Sequence, residues 1–86
     1  MRIVLLAFAI AAVTAAPAEA CRALWEYPAA MEHVAKADMP AEEKKAYQKE
    51  LDKGWALHNR GMQMVNPAMM IESVKMLDKI KANLGL

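Results

Sequence analysis

His58 and the methionines that follow it are the residues of this chain whose types and spacing could do chemistry. His58 and Met62 stand four apart and share a face if the segment is helical, while Met69 and Met70 would join them only by folding back across a loop. Imidazole and thioether are ligand types for soft cations such as Cu(I) and Ag(I), and for haem iron. Five of the eight methionines fall between Met62 and Met76. Pairs two apart, Met31 with His33 or Met62 with Met64, point about 200° apart around a helix and cannot chelate from it. The competing role for these thioethers is adaptable filler in a small core or binding groove.

His58 admits two further roles. A core imidazole is stable when its nitrogens are bonded to a carbonyl or, in this chain, to Tyr47. A buried histidine is also the side chain whose charge changes most readily near neutrality, which would make the fold acid-responsive. His33 has charged neighbours, Glu32 and Lys36, and is expected at the surface.

Cys21 is the one cysteine, so no disulfide can form within the chain. In an oxidising compartment its thiol can pair with another chain, giving a Cys21-linked dimer as one expected partnership. Lipid attachment at Cys21 is disfavoured by Ala18 and Glu19, which stand where a branched aliphatic and a small residue would be needed. Trp25 and Trp55 are candidate packing anchors or contact residues.

Catalysis finds no footing in the pattern. There is no CxxC, no HExxH and no glycine-rich phosphate loop among three glycines, and the adjacent Glu42 and Glu43 belong to a helix start. The expectation is a protein that is not an enzyme and carries no cofactor unless the His58 and methionine set holds Cu(I) or haem. Eleven basic against ten acidic residues leave a net charge of +1, with the signs interspersed. Such a balance offers no footprint for nucleic acid or an anionic membrane surface.

The elements that must position these residues begin after an export signal. Arg2 supplies a positive start, Ile3 to Val13 an apolar run, and Ala18-Glu19-Ala20 a small-x-small cleavage site, which divides the chain into a signal at 1–20 and a mature domain at 21–86. Counted on to Ala16, before Pro17 and Glu19 interrupt it, the apolar stretch reaches about 14 residues, short of the roughly 20 that a spanning helix needs. Export is therefore expected, to the periplasm in a bacterium and otherwise by secretion, with no transmembrane segment left after cleavage.

The mature part reads as all-α. Ala, Glu, Lys, Leu and Met dominate it, and no period-two alternation marks a strand. Pro28, Pro40 and Pro67 each stand where a helix could open, which predicts helices at about 28–37, 40–60 and 67–83. Asp38 is the expected cap or near-cap of the second, and Asn59-Arg60-Gly61 its expected end, with continuation to Val65 as the alternative because the apolar period persists through Met62 and Val65. Apolar stripes follow: Leu24, Tyr27, Met31, Val34 and Ala35; then Tyr47, Leu51, Trp55, His58, Met62 and Val65; then Met70, Val74, Leu77 and Leu84. The expected architecture is a small three-helix bundle, or a helical hairpin with a short leading helix.

A mature core this small, with no internal staple, is expected to bury residual apolar surface against a second copy or another protein. The leading functional expectation is therefore an accessory module acting through protein contacts or self-association. A soft-metal or haem carrier and an acid-responsive helper are the alternatives.

Overall fold

The computed structural model describes the backbone of residues 2–86 and the side chains of residues 18–86. Three helices, α1 (Arg2–Lys36), α2 (Ala41–Gln63) and α3 (Pro67–Leu84), form a three-helix bundle, with no strand among the described residues. The expected signal falls mainly on residues 1–17, outside the described side chains. Among the described residues no helix is long and apolar enough to cross a membrane.

The first helix does not open at Pro28. It runs through that residue, whose exposed ring sits in the helix interior, where proline removes one backbone hydrogen bond and crowds the preceding turn. The reason is tertiary. Ala23, Tyr27, Ala30 and Val34 recur at steps of four, three and four and are all buried, so one continuous helical face crosses the proline and packs on both sides of it. Leu24 and Ala35, expected on that face, are exposed. His33 and Lys36 close α1 where cations meet the negative end of its dipole.

Pro40, rather than Asp38, holds the N-cap position of α2, and no side chain caps it. The Pro40 carbonyl accepts from the Lys44 N–H at 3.0 Å, while Glu42 and Glu43 occupy the first turn. The other end corrects the expected stop at Gly61, because α2 continues to Gln63. Two bonds close it: Val65 N–H to the Met62 carbonyl at 3.3 Å, and Asn66 N–H to the Gly61 carbonyl at 2.8 Å. This is the Schellman arrangement, with Val65 in its left-handed position at φ 49°. Gly61 serves a different purpose: a Cβ there would lie 3.0 to 3.2 Å from Met69 Cβ, Met70 Cγ and the Met70 backbone nitrogen, so its bareness lets α3 approach.

α3 begins as the sequence predicts, with Pro67 in its first turn and the Asn66 side chain accepting from the Met69 N–H at 3.3 Å. Its end repeats the α2 cap. Gly85 takes the left-handed position at φ 76°, donating to Ala82 at 3.2 Å, and Leu86 donates to Lys81 at 2.8 Å. The core between the helices is Ala23, Tyr27, Ala30, Val34, Leu51, Val74, Leu77 and Ile80, with Met31, Tyr47, Trp55 and Leu84 packed partly against it. Fully burying a side chain of the Leu or Val kind contributes about 1.5–3 kcal/mol.

Candidate functional site

Tyr27 organises the centre of the bundle. Its hydroxyl donates to the Ser73 carbonyl of α3 at 2.5 Å, and burial raises its pKa to about 12, with the Asp78 charge adding to the shift. On the α2 side the ring occupies the space that Gly54 leaves open. A methyl group at Gly54 would overlap the Tyr27 hydroxyl and lie 2.7 Å from the ring carbon Cζ. Ser73 is itself buried, its hydroxyl donating to the Met70 carbonyl at 2.7 Å. The sequence places Tyr27 on an apolar stripe but gives it no further role, and it does not single out Gly54 or Ser73. An isolated glycine inside a strong helical pattern was the available signal, because it marks a close approach.

A second ring lies against the first. Trp55 meets Tyr27 with ring centroids 5.7 Å apart and planes tilted by 53°. His58 then stacks on Trp55 at 5.3 Å and 22°. His58 is 3% exposed, and its Nδ1 is buried with no hydrogen-bond partner. The alternative bond to Tyr47 is not made: the Tyr47 hydroxyl is directed at the Asn83 carbonyl, 3.5 Å away. Burial alone pushes the His58 pKa below the ordinary histidine value.

On the other side of α1 the contact is ionic. Glu26 receives Arg22 Nε at 2.7 Å and Lys81 Nζ at 2.6 Å, while Arg22 reaches on to Asp78 at 2.7 Å. Hydrogen bonds from Arg22 and then Lys81 hold the Glu26 carboxyl down at about 2, and the bonds that Arg22 donates to Glu26 and Asp78 raise its own pKa.

Of the four residues proposed to hold a soft metal, His58 and Met70 are buried, Met69 is half-buried and Met62 is exposed. Met69 and Met70 pack where Gly61 lets α3 approach. Met62 and Val65, expected to extend the α2 stripe, both face solvent at the end of the hairpin, where α2 closes at Gln63 and the chain turns toward α3. No group of three or more His, Cys, Asp or Glu side chains with metal-binding geometry occurs among the described residues. The three residues assigned to contacts separate as well: Trp55 joins the ring series, whereas Cys21 and Trp25 are exposed on α1.

Five large apolar side chains are exposed on one side of the Tyr27 to Gly54 contact. Leu24 and Trp25 precede Tyr27 on α1, and Met62, Met64 and Val65 follow Gly54 at and beyond the end of α2. The Tyr27 to Gly54 contact sets these antiparallel neighbours in register, so both groups lie on the same side of it, as does exposed Cys21. The chain matches no protein-family model, no curated protein and no solved structure.

Proposed function

We propose that this chain is a small exported helical module that works by protein contact, with itself or with another protein, through the end of the bundle that carries Leu24, Trp25, Met62, Met64 and Val65. The observation that supports the reading is the exposure of these side chains together. Trp25 is 77% and Val65 80% exposed, and the other three are each more than half exposed. Isolated surface leucines need no explanation, but five large apolar groups, a tryptophan among them, exposed on one side of the Tyr27 to Gly54 contact in a small domain are the kind of surface that proteins cover. Trp is also the side chain most enriched among residues that dominate binding energy. Export follows from the pattern of residues 1–20, and it would place the Cys21 thiol where it can oxidise.

Sedimentation across a wide concentration range, with reductant present, tests the self-association form of this proposal. The wild type is expected to gain mass with concentration. Trp25→Ser is expected to remain monomeric with its thermal midpoint almost unchanged, since surface substitutions away from special features alter stability by about 0.5 kcal/mol or less. A wild-type protein that stays monomeric at every concentration overturns self-association and leaves contact with another protein as the form to test.

A further inference from the structure

We propose that His58, Trp55 and Tyr27 form an acid-sensitive latch that seats α1 on the α2–α3 hairpin, with His58 as the group that releases it. The three rings stand in series. His58 stacks on Trp55 within α2, Trp55 leans on Tyr27 of α1, and Tyr27 donates its hydroxyl to the Ser73 carbonyl of α3. One short chain of contacts thus joins all three helices, and one end of it titrates. The inference goes beyond the protein-contact reading and does not depend on what covers the apolar end.

Protonation changes what the site must accommodate. As a neutral ring, His58 carries at Nδ1 a buried atom without a partner. As an imidazolium it would carry a charged donor at that same buried, unpartnered atom, the worse of two unpaired states. The Trp55 face favours a cation and opposes this, but lost hydration is the larger influence for a ring 3% exposed, and burial accordingly lowers its pKa. Charged groups on these turns do not offset it. Arg22 and Glu26 of α1 are bonded to Asp78 and Lys81 of α3, Glu72 and Lys75 of α3 are exposed, and so are Asp52, Lys53 and Arg60 of α2 itself. Glu19 of α1 is half-buried, and it adds nothing to the shift at His58, which has burial as its cause.

The sign follows from the direction of that shift. Above pH about 6.5 the histidine is neutral in both folded and unfolded chains, and the latch is fully closed. As pH falls below that value the unfolded chain takes up a proton that the folded chain refuses, so stability drops until the folded ring is protonated too. Release of His58 then withdraws Trp55 from Tyr27 and loosens α1.

The test follows the full chain from pH 7.5 to 5 at low concentration, using thermal midpoints for the wild type, His58→Phe and His33→Gln. Phe keeps a flat ring against Trp55 without a proton to gain, and His33 is an exposed internal control. The wild-type midpoint is expected to fall by several degrees below pH 6.5, His33→Gln to follow it, and His58→Phe to stay level. Proton NMR of the wild type is expected to show His58 titrating below the ordinary histidine value of about 6.5, a measurement that decides the matter even if His58→Phe does not fold. Equal falls in wild type and His58→Phe, or His58 titrating at or above about 6.5, would overturn the latch.

Discussion

Val65 and Gly85 occupy the same position of the same helix-ending motif, and they differ in what the chain gives up to put them there. Both take left-handed backbone, at φ 49° and 76°, and both donate into the last turn of the preceding helix. Glycine adopts that conformation freely, whereas a side chain on Cβ makes it unfavourable by roughly 1–2 kcal/mol, with β-branched residues among the least tolerant. At the α3 end the usual residue is present. At the α2 end the chain accepts strain to present an apolar side chain that is 80% exposed and therefore gains little from packing. The two ends of the hairpin thus differ: the Gly85 end is relaxed, and the Val65 end holds strained backbone beneath an exposed apolar side chain.

The middle of the hairpin sets the scale for that comparison. Gly54, like Gly61, is kept for space rather than for φ, because the place of its missing Cβ is filled by Tyr27. Gly54→Ala is expected to destabilise by about 3 kcal/mol, at the upper end of overpacking costs, since the obstacle is a rigid ring held by the Ser73 carbonyl. This loss should outweigh the gain of roughly 1 kcal/mol that alanine brings to a helix interior. Denaturant unfolding measures it. A neutral or stabilised Gly54→Ala would mean that α1 can shift on the hairpin, and the register that puts both apolar groups at one end would lose its anchor.

How much of this could be read from the chain depended on side-chain size. The stripe Tyr47, Leu51, Trp55 and His58 was visible because large groups at helical spacing announce a buried face, and the bundle followed from it. The inner face of α1 was harder, since Ala23 and Ala30 bury as fully as Val34 but give a weak apolar signal beside the larger, exposed Leu24. Pro28 misled for a related reason: a local rule about a missing N–H was outweighed by packing on either side of it. Gly61 was read as a cap from its backbone freedom, when its value lies in its lack of a side chain. The candidate site was half legible. Burial of His58 and its nearness to Trp55 follow from their places on the stripe, but the contact of Trp55 with Tyr27 depends on register between helices, which one-dimensional periodicity does not encode.

Gly85→Ala tests the relaxed end. It is expected to lose about 1 kcal/mol, because the methyl meets no neighbour within 4 Å and the cost is confined to the left-handed backbone. In a domain of this size that corresponds to a thermal midpoint lower by about 4–8 °C. A larger loss would show that the Lys81 and Ala82 bonds to the final residues also hold α3 in place, which would make the two ends less alike than their motifs.

Val65→Gly tests the strained end and should move the other way. Relief of the left-handed backbone is worth roughly 1–2 kcal/mol, and glycine returns part of it through the greater freedom of the unfolded chain, so a net gain of about 0.5 kcal/mol is expected. Little packing is lost, because the valine faces solvent. The informative result comes from measuring stability and association on the same variant. If Val65 is kept for contact, Val65→Gly will raise the thermal midpoint while weakening the concentration-dependent gain in mass, the trade that arises when a surface is maintained at the expense of the fold. A variant that is more stable and associates as the wild type does would remove Val65 from the contact and leave the strain at this turn without a functional reason.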